Sequence, residues 1–356
     1  MVQVQGPPAT TADIDAPWLT IALQGQFPGV EVGEVELVHT AQVTNAHARI
    51  AVTYRSDIAG PSLMFCKLLP NNERRSAIAA TMMGPKEVRF YRELAPRLQL
   101  RVPQFYAGIH DPSDDSFALF LEDLTATGCE ISDGTRGVTS EEALGALEDL
   151  AHLHVRFEDP AVRAVEAGWV NEPVFGSTYG SVMLQYALDN HRDRISDEFA
   201  TISNLYIEDG ARLHSLWTKG PKTVIHGDPH IGNVFFDNGR VGFLDWGIIN
   251  VNTPMRDVSY FLTMAMDSEQ RRLHQEMLLR HYLDVRRSLG GVDISFNDAW
   301  MAHRIHGAYC VVASCQVVTF PEDATQQRKI HADAFLQRAE AAIEDLDSFA
   351  AVQAAI

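Results

Sequence analysis

The chain is poor in cysteine and in positive charge, and each shortage excludes a class of protein. Its four cysteines, Cys66, Cys129, Cys310 and Cys315, form no CxxC pair and lie mostly among apolar residues. Neither a disulfide framework nor a cysteine-based zinc module is indicated, and reduced core thiols are expected. Lys and Arg number 29 against 47 Asp and Glu, a net charge of −18, which disfavours nucleic-acid binding because a phosphate backbone calls for a basic face. No apolar run approaches the roughly 20 residues of a membrane helix. The opening stretch MVQVQGPPATTADID lacks the basic and apolar regions of a secretion signal. These absences point to a cytoplasmic protein with no membrane partner. Repeats and low-complexity tracts are also missing.

What remains is an ordinary globular composition, 46% hydrophobic and 21% charged over 356 residues, long enough for two cores. The N-terminal third is strand-rich. After a short helix around Asp13 to Gln24, strand character runs over Val35 to Val43, Arg49 to Tyr54, Ser62 to Leu69, Gln104 to Ile109 and Phe117 to Leu121. Gly84-Pro85 opens a segment in which Glu87, Phe90, Tyr91 and Leu94 recur at helical spacing. Further on the chain becomes helical. Thr139 and Glu142 make a capping-box signature ahead of a helix to Phe157, and helices are expected over Ser181 to Arg192, Ser196 to Trp217, Ser268 to Ser288, Phe296 to Val317 and Asp323 to Phe349.

The most informative run is HGDPHIGN at 226 to 233, followed by FLDW ending at Trp246. Asp228 is a carboxylate able to orient a hydroxyl and accept its proton. Asn233, five residues on, offers an amide oxygen suited to a hard cation, and Asp245 adds an anionic oxygen. Between them, Val234 to Phe236 and Val241 to Leu244 read as two strands joined at Asp237-Asn238-Gly239, an Asn-Gly hairpin signal. On a flat strand His226, Asp228 and His230 would share one face, as zinc ligands of a metallohydrolase do. Gly227 and Pro229 argue instead for a loop, and zinc leaves Asn233 and Asp245 without a role.

This block resembles the catalytic and metal-binding loops of the aminoglycoside phosphotransferase and choline kinase superfamily, in which HGDxHxxN stands where protein kinases carry HRDxxxxN. The EVRFY stretch at 87 to 91 looks like the pattern of its ecdysteroid-kinase-like branch. The resemblance implies an α+β, two-lobed protein-kinase-like fold: an N-terminal nucleotide-binding lobe of antiparallel sheet over residues 1–121, a hinge at about 121–127, and a helical catalytic and acceptor-binding lobe over 122–356. It implies ATP and Mg2+ as cofactors, with Asp228 as catalytic base, Asn233 and Asp245 as magnesium ligands, and His226 and His230 bracing the loop. Lys67, a lone lysine in LMFCKLL, would meet phosphate, paired with Glu87; backbone at Leu121, Glu122, Asp123 and Leu124 would read adenine; Asp257 would steady the region after the metal loop. His152 and His154 read as packing or solvent-facing residues rather than ligands, and Arg304, His303 and His306 fall on a helix that in the family often borders the acceptor pocket. One departure stands out: HTAQVTNAHARI, where a kinase places its glycine-rich flap, contains no glycine, leaving Thr40, Thr44 and Asn45 as donors or a plain hairpin. The expected reaction moves the γ-phosphoryl group of ATP to a hydroxyl of a small molecule, an aminoglycoside-, choline- or steroid-like alcohol, cationic if the acidic excess lies near the pocket. The other readings are a catalytically silent nucleotide-binding homologue and the zinc metallohydrolase.

Overall fold

The computed structural model describes residues 6–58, 60–175, 178–320 and 322–356. The chain divides into two compact units: the residues up to Ile131 together with Phe243–Ile248, and Ser132–Gly242 together with Ile249–Ile356. Around the expected hinge at about 121–127, Glu122 is still a strand residue and the Cys129 N–H closes the next turn on the Leu124 carbonyl at 2.9 Å.

The first unit opens with helix α1 (Ala16–Leu23), capped by Asp15, whose carboxylate accepts the Trp18 N–H at 2.8 Å. Strands β1 (Val32–Gln42), β2 (Ala46–Tyr54), β3 (Leu63–Leu68), β4 (Phe105–Asp111) and β5 (Ser116–Glu122) form an antiparallel sheet in the order β1-β2-β3-β5-β4. Strand periodicity decides which side chains meet α1. Met64, Cys66 and Leu68 on β3 join Trp18, Leu19, Leu23, Ile50, Val52 and Phe120 in one buried cluster. Lys67 therefore stands on the opposite face. Two short helices follow β3: α2 (Arg75–Ala79) and α3 (Met83–Arg89), the latter continuing through a π-helical turn at Phe90–Leu94. Gly84 lets α3 lie against the sheet, since a Cβ there would come within 2.0 Å of the Phe117 ring. The glycine-free loop is a tight hairpin: Thr40, Ala41 and Gln42 still pair with Ala48, His47 and Ala46, leaving Val43, Thr44 and Asn45 as the turn.

The second unit is mainly helical. Its helices are α4 (Ser140–Arg156), α5 (Pro160–Glu166), α6 (Tyr179–Asn190), α7 (Asp197–Trp217), α8 (Pro254–Met264), α9 (Ser268–Ser288), α10 (Phe296–Gly307), α11 (Tyr309–Val318), α12 (Gln326–Asp345) and α13 (Ser348–Ala355). At the start of α4 the capping box is present: the Thr139 Oγ1 accepts the Glu142 N–H, and the Glu142 carboxylate accepts the Thr139 N–H at 2.9 Å. Two of the long helices expected from periodicity are broken. One pauses at Ala308, next to Gly307, where a Cβ would strike the Ser348 hydroxyl at 2.1 Å; the other turns at Asp347, whose φ of 48° ends the helix in the left-handed region. After the two-residue β6 (Glu130–Ile131) of the first unit come β7 (Thr223–Ile225), β8 (Val234–Asp237), β9 (Arg240–Phe243) and β10 (Asn250–Asn252). The β8–β9 turn has positive φ at both Asn238 and Gly239, 50° and 84°, as the Asn-Gly signal requires. β10 pairs antiparallel with β7, so the ends of the segment that carries the loop are tied together. No helix among the described residues is long and apolar enough to cross a membrane.

Candidate active site

In the first unit, the register of β3 and the rise of α3 bring Lys67 and Glu87 together: Nζ lies 2.6 Å from Oε2 of Glu87 and 3.2 Å from Oδ1 of Asp245. Burying a lone ammonium costs several kcal/mol, about 3–5 kcal/mol when a partner is removed from a buried pair, so the two carboxylates are what make the position tenable. Burial alone would make Lys67 easier to deprotonate, but Asp245 and Glu87 outweigh it and its pKa is raised. Glu87 is 3% exposed, and burial, with Asp245 adding, pushes its carboxyl up to about 7 against the pull of Lys67. The ammonium stays charged throughout. His47, paired across from Lys67 on β2, is pushed down to about 4 by burial and by that ammonium, so its ring is neutral near pH 7.

Asp245 belongs to this unit because its short segment is fastened there. The Phe243 N–H donates to the Arg101 carbonyl at 2.9 Å, and Trp246 stacks on Phe90 with centroids 3.8 Å apart and planes 6° from parallel. Asp245 has φ 55°, a left-handed conformation that Asp tolerates better than most residues, and its side chain is 40% exposed. Glu122 and Asp123 are held by Arg101 and Arg49 at 2.9 and 2.7 Å. The Glu122 N–H donates to the Gln104 carbonyl, and the Leu124 carbonyl accepts from Cys129. Among the described residues the Leu124 N–H takes part in no backbone hydrogen bond.

In the second unit, residues 226–233 are a loop, as Gly227 and Pro229 led us to expect, and its own polar groups hold it. The Asp257 carboxylate, fully buried at the start of α8, accepts the N–H groups of His226 and Gly227 at 2.7 and 2.8 Å. Asn233 Nδ2 donates to the carbonyl and carboxylate of Asp228 at 3.0 and 3.1 Å. This turns the amide oxygen of Asn233 away from Asp228. His230 Nδ1 accepts the Gly232 N–H at 3.0 Å, while its Nε2 lies 3.3 Å from Asp228 Oδ2. The Asp228 side chain is 30% exposed, a carboxylate placed by its neighbours yet open on one side.

The family model of the ecdysteroid kinase-like family matches residues 40–287, well over half the sequence. The chain belongs to the ecdysteroid kinase-like family. Among solved structures it is similar to a proposed aminoglycoside phosphotransferase from Ralstonia eutropha, with TM-score 0.52 at 13% identity over 93% of this chain and 97% of that one. It is also similar to a choline/ethanolamine kinase family protein from Mesorhizobium loti, with TM-score 0.47 at 16% identity over 94% of this chain and 98% of that one. A third is a spectinomycin phosphotransferase in complex with ADP and spectinomycin, TM-score 0.47 at 12% identity over 93% and 98%. The first of these bears out the two-lobed α+β kinase-like fold. No curated protein matches the sequence.

In this ecdysteroid kinase-like chain the zinc arrangement of His226, Asp228 and His230 does not form. His226 Nδ1 accepts the Asp228 N–H at 3.1 Å and His230 Nδ1 is taken by Gly232, so both rings serve the loop. Among the described residues no group of three His, Cys, Asp or Glu is placed to hold a metal ion. Magnesium asks for less. It takes one or two protein oxygens and keeps water and phosphate for the rest, and the amide of Asn233 and carboxylate of Asp245 are hard oxygen donors of that kind. What sequence reasoning missed lies behind the loop. His154, read as packing or solvent-facing, is fully buried, with Nδ1 2.7 Å from the Tyr282 hydroxyl and Nε2 3.3 Å from Asp257 Oδ2. Burial lowers its pKa, so a neutral ring holds Asp257, which in turn holds the loop. No local signal could have linked residues 103 and 128 positions apart. His303 and His306 are buried in the unit's interior, and Arg304 is engaged with the Leu346 carbonyl.

Proposed function

We propose that the chain is an ATP- and Mg2+-dependent phosphotransferase acting on a hydroxyl of a small molecule. The observation that supports this most is the braced loop, in which Asp257 fixes the backbone at His226 and Gly227 while the Asp228 carboxylate stays open to a substrate. Asp228 is the base: it takes the acceptor's hydroxyl proton as that oxygen bonds to the γ-phosphorus, the bond to the β-phosphate oxygen breaks, and ADP leaves with the electron pair. Lys67, kept charged by its carboxylates, meets phosphate oxygens, and Glu87 fixes its position. Backbone at Leu121 to Leu124 reads adenine, the Leu124 N–H being the donor left over by the turn. Asn233 and Asp245 would hold magnesium, which would neutralise charge spreading over the phosphates. No covalent enzyme intermediate is needed, and positioning supplies most of the rate.

The test is ADP release from MgATP across a panel of hydroxylated compounds, with product identified by mass. A phosphorylated acceptor is expected for at least one compound. Nucleotide binding without transfer to any of them would favour the catalytically silent homologue and overturn the enzymatic reading.

A further inference from the structure

Four arginines are buried in the described structure: Arg256, Arg271, Arg286 and Arg338. Arg271 meets Asp345, Arg286 meets Glu158 and Arg338 meets Asp267. Arg256 meets no carboxylate among the described residues. It is 8% exposed; its Nη2 donates to the Tyr309 hydroxyl at 2.6 Å, the guanidinium lies 4.2 Å from that ring's centroid, and both Nε and Nη1 are buried without a hydrogen-bond partner. A phenol and a ring face are poor compensation for a desolvated cation whose fork matches a carboxylate.

The surroundings link this cation to Asp228. Tyr309 lies 5.5 Å from Tyr260, Tyr260 lies 6.0 Å from His230, and His230 touches Asp228. The Tyr260 hydroxyl is likewise buried without a partner. On the other side, Tyr309 packs on Trp217 at 5.3 Å and Trp217 on Tyr206 at 6.2 Å. Tyr206 and His214 line a cavity of about 220 Å³ with Phe175, Thr178, Ser181 and Ile207, a wall with no charged side chain among the described residues. His214, stacked on Phe175 with centroids 4.0 Å apart, is pushed down to about 4 by burial and by Arg256, and is neutral. Its Nδ1 is buried and unpaired.

We propose that the acceptor is an apolar hydroxy acid whose carboxylate is received by Arg256 while its body occupies the cavity lined by Tyr206 and His214. This rests on the phosphotransferase reading above. The hydroxyl reaches Asp228, and the phosphoryl step is the one already written, with the carboxylate unchanged. A cationic amine, which the acidic net charge led us to consider, meets a buried positive charge here and is rejected.

Three compounds of one skeleton test this: 3-phenyllactate, 3-phenylpropane-1,2-diol and phenylalaninol, bearing a carboxylate, no charge and an ammonium. Binding is measured by calorimetry without nucleotide, and ADP release with MgATP. Phenyllactate is expected to bind about tenfold or more tightly than the diol, as a charge-assisted bidentate contact gives, with phenylalaninol weakest. Arg256→Met should abolish the preference, and Arg256→Lys, which keeps the charge and loses the fork, should weaken it. Equal affinity for the three, tighter binding of phenylalaninol, no binding at all, or a preference that survives Arg256→Met overturns the proposal. A carboxylate preference in binding with no phosphoryl transfer to any compound upholds the anion site and overturns the phosphotransferase reading instead.

Discussion

Lys67 in the first unit and Arg256 in the second are both buried cations, and the protein treats them oppositely. Lys67 has two carboxylates within 3.2 Å, one of them 3% exposed. Arg256 has a hydroxyl, a ring face and two unpaired nitrogens. The difference teaches how to separate a charge that the fold completes from one left for something else to complete. Burial penalises both by several kcal/mol, but only at Lys67 does the chain itself offset that penalty.

The largest effect expected around these cations is an acid one. His303 and His306 are fully buried and pushed down to about 3 and 4, with burial as the main cause, and Arg256 contributes at His306. The unfolded chain protonates these rings near the ordinary value of about 6.5. Between that pH and about 4 the unfolded state therefore binds more protons. Stability is held above pH 6.5 and drains as pH falls, by an upper bound on the order of 3 kcal/mol per ring. Urea unfolding at pH 7, 6 and 5 should show this decline; a flat profile would contradict neutral burial. Next, Lys67→Met strands Glu87 and Asp245 and should cost about 3 kcal/mol. That loss should be smaller at pH 6 than at pH 8, because Glu87, already at about 7, protonates more readily at the lower pH. Arg256→Met is the counterpart and should be neutral or stabilising by up to about 2 kcal/mol in unliganded protein, since an uncompensated charge gives way to an apolar side chain. A loss as large as that of Lys67→Met would erase the distinction. The smallest effect is local: in Arg256→Met the His214 and His306 titrations, followed by NMR, should move upward, because the cation that helps depress both is gone.

Much of this was legible in the sequence because the signals are local. Thr139 with Glu142 announces the start of α4, Asn238-Gly239 announces the hairpin, and Gly227 with Pro229 announces a loop. The alternation that puts Cys66 in the core sends Lys67 to the other face, where a helix register supplies Glu87. The rest depends on packing between distant segments. Nothing near His154 points to Asp257 or Tyr282, and nothing near Arg256 points to Tyr309 on α11. The breaks at Ala308 and Asp347 interrupt an apolar periodicity that continues past them, so the pattern predicts one helix where packing makes two.

The most direct test of the account is Asp228→Asn, assayed for MgATP binding by calorimetry and for transfer from γ-labelled ATP to a hydroxyl acceptor that the wild-type protein phosphorylates. Asparagine keeps the size of the side chain and loses the proton-accepting charge, so binding should be retained while transfer falls about a hundredfold to ten-thousandfold. Transfer at the wild-type rate would contradict the assignment of Asp228 and the mechanism built on it.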